Sequence, residues 1–306
     1  MLERVKAVEM ESLNRDVLTV EFLDSLDSCC EGTKATYKKQ IRRFFSWLET
    51  NYKPGGISRK DIVNYRTYLV ETGKTTLTVG SYMTALKRFF EWMESTKKYP
   101  NVAKDIKAGK KPKGYRKDCL SDLQVRETMA GFDTTTLEGL RDYAIFTLQA
   151  HTGLRTVEVS RALVEDIRQV NGKTVLWIQG KGRTEKDDFV VLTKTVVETI
   201  ERYFKVRKAR GPEPLFTSLS DRNHGQALTE RSISRIIKTA MRKAGIDSDR
   251  LTAHSLRHTA ISKAIQGGAS FVQTQAMARH ADPKTTMVYF HNHERLNNNA
   301  ESFINY

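Results

Sequence analysis

Two segments of this chain carry almost the same amphipathic text: YKKQIRRFFSWLE from Tyr37 and YMTALKRFFEWME from Tyr82. In the first, Tyr37, Ile41, Phe44, Phe45 and Leu48 recur at helical spacing. In the second, Tyr82, Leu86, Phe89, Phe90 and Met93 do the same. A helix gathers such positions on one face, whereas a strand would divide them between two faces. Each helix must therefore cover a broad aromatic stripe, and the first hundred residues are constrained to a helical bundle. Ser58 followed by Asp61 marks a helix start that leads into Ile62, Tyr65 and Leu69, and a short earlier helix is expected near Val20 to Leu26. Two copies are too few for a solenoid, so the resemblance is read as two helices meeting one packing requirement.

The pattern breaks at KDIKAGKKPKGYRK, rich in lysine and punctuated by glycine and proline. Neither helical nor strand periodicity survives there, which reads as a linker over 104–118 between a domain at 1–103 and another at 119–306. The second domain opens with a capping box, Ser121 and Gln124, stapled by Leu120 and Val125. A helix from about Leu137 is expected to stop at Gly153. Asn171-Gly172 between extended segments predicts a hairpin, DFVVL a third strand, and helices resume near Thr195. The fold class is mainly α with a small antiparallel sheet.

The chain has 51 Lys and Arg against 36 Asp and Glu, a net charge of +15. That excess favours a polyanionic partner, although a generically basic protein is the plainer alternative. No apolar run approaches the ~18 residues of a membrane span. The opening MLERVKAVEM is too evenly charged for a secretory signal. Cys29, Cys30 and Cys119 form no disulfide framework, which fits a cytoplasmic protein.

The chemistry concentrates in HTGLRTVEV (151–159), QGKGRTEK (179–186), HSLRH (254–258) and RHADPKTTMVY (279–289). Together, in this order, these strings resemble the tyrosine recombinase family of phage integrases and Xer proteins. The resemblance implies a helical core-binding domain and a catalytic domain in a C-shaped clamp around double-stranded DNA. It further implies a tetramer on two sites, strand exchange through a Holliday junction, no cofactor or metal, and room for accessory DNA-bending proteins near the nucleoid.

Residue by residue, Arg155 and Arg257 match the arginines that hold the scissile phosphate; planar guanidiniums suit its charge and geometry. Tyr289 matches the nucleophile. A phenol titrates near ~10, so it must be held in line while its proton leaves. Lys181 matches the hairpin lysine that protonates the leaving 5′-oxygen, with Arg183 and Lys186 as close neighbours. His254 is matched to proton transfer or phosphate binding, and His280 to phosphate contact. Glu158, one turn after Arg155, either orients partners or makes a structural ion pair with it. Asp282 and Pro283 read as N-cap and N1 of the helix carrying Tyr289. Where the family often has glycine before the histidine, this chain has Arg279, which either alters the turn or adds a phosphate contact. Lys38, Lys39, Arg42, Arg43, Lys87 and Arg88, with Lys110, Lys111 and Lys113 of the linker, are candidate contacts to the DNA backbone.

Other readings compete. His254 and His258 are spaced like metal ligands, but HSLRH lacks a zinc-helix glutamate and sets an arginine between them. A type IB topoisomerase would use closely similar chemistry, and a DNA-binding relative without catalysis would keep the fold. The helical first domain, the TGLR segment and the tail ESFINY, with Phe303 and Ile304, favour a recombinase. The length matches a core-binding plus catalytic pair without an arm-binding domain, hence a Xer-like or mobile-element enzyme.

Overall fold

A computed structural model describes residues 14–51, 56–107, 109, 118–180 and 182–304. The chain forms two compact units, Met1–Lys113 and Gly114–Tyr306.

In the first unit, α1 (Arg15–Asp24), α2 (Glu31–Asn51), α3 (Arg59–Glu71) and α4 (Thr76–Ser95) enclose one core. The two matching segments lie in α2 and α4, and their aromatic stripes are buried as their periodicity requires. Phe44, Phe89 and Phe90 are sealed from solvent and stack edge-on with their neighbours, the geometry that aligns ring edges with ring faces. Helix α3 begins where expected, because Asp61 accepts from the Ser58 backbone amide at 2.8 Å. Helix α1 starts five residues before the expected Val20, because Asn14 caps the amides of Asp16 and Val17. The unit also runs past 103: Ile106 is buried in the core, and Arg66 donates to the Lys107 carbonyl at 2.8 Å. The surrounding lysines of KDIKAG give no sign that Ile106 belongs to the core.

In the second unit, α5 (Asp122–Ala130) has the expected capping box, with Ser121 and Gln124 exchanging bonds at 2.9 and 3.1 Å. Helix α6 (Leu137–Thr152) crosses the core and stops at Gly153, whose φ of 63° is the left-handed conformation that glycine adopts freely. A short α7 (Thr156–Arg161) follows. The sheet then runs β1 (Ile167–Val170), β2 (Lys173–Ile178) and β3 (Asp188–Val191), antiparallel in that order. Asn171 and Gly172 take positive φ at the β1–β2 turn, as a two-residue hairpin demands. Helices α8 (Lys194–Arg207), α9 (Glu230–Lys243), α10 (Ala253–Gln266), α11 (Phe271–Ala278) and α12 (Pro283–Asn297) complete it. The main core joins α6, α8, α9, the sheet and the start of α10. A smaller cluster of Ile261, Ile265, Ala278 and Tyr289 holds α10, α11 and α12 together. No described helix is long and apolar enough to cross a membrane.

Candidate active site

The end of α6, the start of α7, helix α10, the α11–α12 connection and α12 bring Arg155, Glu158, His254, Arg257, His280 and Tyr289 into one polar cluster. Arg257 sits on α10 among Leu256, Ala260 and Ile261 and is 2% exposed. Its Nη1 donates to the Gly153 carbonyl at 2.7 Å and its Nη2 to the carbonyl of Ala278. One guanidinium thus ties the stop of α6 to the stop of α11. Burial, then the charges of Arg155 and Arg279, pull Arg257 below its ordinary value. A guanidinium stays protonated in proteins, so this marks excess positive charge that an anion would relieve.

Arg155 precedes α7 and keeps 28% of its side chain exposed. Its Nη1 meets Glu158 Oε1 at 2.9 Å, and its backbone amide donates to Glu158 Oε2 at 2.7 Å. Glu158 is wholly buried. Burial alone would raise its carboxyl, but Arg279 first and then Arg155 hold it below the ordinary range. Arg279 Nη2 reaches Glu158 Oε2 at 2.9 Å, so this buried carboxylate pairs with two guanidiniums.

Tyr289 lies on α12, which starts as expected: Asp282 accepts from the Lys284 amide at 2.9 Å, with Pro283 at the first position. Its ring is buried between His258 and His280, with centroids at 5.7 and 6.0 Å. Its Oη lies 2.5 Å from His258 Nδ1. His254 stands one turn before His258, ring centroids 4.7 Å apart. His280 Nδ1 is 2.9 Å from the hydroxyl of buried Thr286. Burial, then His254 and Arg257, lower His258 to about 4. Burial, then Arg257 and the other arginines, lower His280 to about 4 as well. His254 is lowered in the same direction, first by burial and then by Arg257. These shifts all favour the uncharged imidazole.

Lys181 lies outside the described residues, as do Lys110, Lys111 and Lys113. Its neighbour Lys186 is engaged elsewhere: its Nζ sits 2.7 and 2.8 Å from the oxygens of buried Asp166, and Arg183 pairs with Asp187. In the first unit Arg42 pairs with Asp16 and Arg43 donates to Tyr82 Oη at 2.7 Å. Lys39 and Arg88 are exposed, Lys38 and Lys87 half-buried. Sequence reasoning missed His258 as a partner of Tyr289, although its position four residues after His254 puts both on one helix face. For Arg279 it offered an altered turn or a phosphate contact; the residue takes a positive φ, and its side chain engages Glu158 and the carbonyls of Gly153 and Met277.

This arrangement sets a buried phenol between two imidazoles and beside a cluster of guanidiniums. The chain belongs to the phage integrase family: the family model matches residues 119–295, and that of the phage integrase N-terminal SAM-like domain matches 20–99. Among curated relatives, the tyrosine recombinase XerD of Listeria monocytogenes serotype 4b is 28% identical, over 85% of this chain and 88% of its own. That of Staphylococcus epidermidis is 26% identical, over 89% and 92%. Of solved structures, the XerH recombinase bound to palindromic difH substrate matches with a TM-score of 0.73 at 18% identity, over 94% of this chain and 88% of that one. The Tn1549 transposon integrase in complex with transposon right end DNA matches with 0.68 at 14%, over 90% and 93%. These two likenesses show the shared fold.

Proposed function

We propose that this chain is a site-specific DNA recombinase in which the Tyr289 phenol attacks a backbone phosphate. The contact between Tyr289 Oη and His258 Nδ1 carries the reading. A nucleophile within hydrogen-bond reach of a neutral base, beside buried guanidiniums, is an arrangement for covalent catalysis. In the proposed step the phenol oxygen bonds to phosphorus as its proton passes to His258. The bond from phosphorus to the 5′-oxygen breaks, and Lys181 protonates that oxygen. The products are a 3′-phosphotyrosyl link and a free 5′-hydroxyl. Arg155 and Arg257 balance the charge on the non-bridging oxygens, and His254 and His280 line the same phosphate.

Because Tyr289 packs on Ile261 and Ile265 of its own chain, attack within the same protomer is the favoured route. A 5′-hydroxyl from a partner duplex then reverses the step, which conserves the bond energy without ATP. Exchange by four protomers on two sites, through a Holliday junction, and contact of both units with the duplex extend this reading. So does the choice of recombinase over topoisomerase, which strand exchange between two labelled duplexes tests. The first test is covalent capture on a pool of nicked duplexes with randomised cores. The wild-type chain becomes DNA-linked and Tyr289→Phe does not; capture by Tyr289→Phe would overturn the assignment.

A further inference from the structure

Position 279 holds an arginine in a backbone conformation that suits glycine. It caps α11 with φ 52° and ψ 48°, the left-handed region that side chains with a Cβ enter only at a cost. Unlike the exposed Lys208, which caps α8 in the same conformation, Arg279 has a buried and engaged side chain. It is 5% exposed, and it reaches across from the α11–α12 connection to the start of α7. Nη2 lies 2.9 Å from Glu158 Oε2 and 3.4 Å from the Gly153 carbonyl, while Nη1 donates to the Met277 carbonyl at 2.5 Å.

We propose that Arg279 is a positioning residue for Arg155, acting through the two oxygens of Glu158. Arg279 engages Oε2, together with the Arg155 amide, and Oε1 is left to the Arg155 guanidinium. Two guanidiniums share one buried carboxylate, so the trio keeps a net positive charge. Arg279 is buried and Arg155 is partly open, so that charge is presented where solvent, and a phosphate, have access. Without Arg279 the carboxylate would be neutralised by Arg155 alone, and the same guanidinium would have to serve both Glu158 and the DNA. A buried ion pair that loses one member leaves an uncompensated charge that reorganises its neighbours. Holding a catalytic group within a fraction of an ångström is what such supporting contacts supply.

This inference rests on Arg155 as a phosphate ligand, and its test separates the two. Arg279→Gly is the main variant, since the backbone there already suits glycine; Arg279→Gln keeps the volume should the glycine variant fail to fold. The first readout needs no DNA: the Nη1–H resonance of Arg155, the group that donates to Glu158 Oε1, assigned by its loss in Arg155→Lys. It is expected to be slow to exchange in the wild type, and broadened or fast-exchanging in either Arg279 variant. The second is the rate of covalent capture on the randomised nicked duplexes. A fall of roughly 10- to 100-fold is expected, larger than any loss of noncovalent DNA affinity. In a Glu158→Gln background, Arg279→Gly should add little further loss. An Arg155 resonance and capture rate that both stay at wild-type values would overturn the proposal. If the wild type captures no DNA, the reading of Tyr289 fails, while the Arg155 resonance still decides whether Arg279 positions it.

Discussion

Tyr65 in the first unit and Tyr289 in the second are buried to almost the same degree, 1% and 5% exposed. Their surroundings differ. The ring of Tyr65 packs on Phe44 and Trp47 at 5.1 Å and on Tyr82 at 6.2 Å. Burial and then Tyr82 push its phenol well above the ordinary range. The charge of Arg43 pulls the other way without offsetting them. Tyr289 lies between two imidazoles, with one ring nitrogen on its hydroxyl and Arg257 near enough to feel its charge. Burial by itself disfavours the phenolate; a buried acceptor and buried cations favour it.

The contrast breaks first at the hydroxyl. Tyr289→Phe should abolish covalent capture, a loss of at least about 10³-fold, with little change in melting temperature. Tyr65→Phe should leave capture at the wild-type rate. Equal losses in the two variants would erase the distinction. Next, Arg257→Ala should slow capture by about 10²- to 10³-fold. It should also lower the urea-unfolding free energy of the second unit by roughly 2–4 kcal/mol, because the Gly153 and Ala278 carbonyls lose their shared donor. Full activity in that variant would remove the guanidinium from the chemistry.

A smaller effect belongs to His258. His258→Gln should slow capture by about 10²-fold. In the wild type, a base held at about 4 stays neutral as pH falls from 7 to 5, so capture should lose this contribution only near pH 4. A loss centred near 6.5 would show an unburied imidazole. The smallest effect is on stability. His258 and His280 are both held at about 4, below the ordinary 6.5, so the unfolded chain binds protons first on acidification. Their contribution is complete above pH 6.5 and lost as pH falls toward 4. The second unit should melt at a lower temperature at the acid end of that interval. The double variant His258→Gln, His280→Gln should flatten that part of the slope, and calorimetry against pH would show whether it does.

Helix starts and stops were legible because they depend on neighbours in sequence. Ser121 with Gln124, Asp282 with Pro283, Gly153 and Asn171-Gly172 all act as their local chemistry requires. The boundary near Lys104 was less legible, since Ile106 joins the first core from within a lysine-rich stretch. Asn14 moved the start of α1 for a similar reason: a cap outweighed the apolar pattern that follows it.

From the order of residues alone, the chain determined two helical stripes that had to be buried together, a three-stranded sheet, and four motifs whose sequence matches one family. Each depends on spacing along a helix or turn, a local quantity. Only the tertiary structure decided which histidine meets Tyr289, that Lys186 belongs to Asp166, and that Arg279 shares Glu158 with Arg155. Those pairings join residues far apart in sequence, and burial selects among many polar partners the few that satisfy one another's charge and hydrogen bonds.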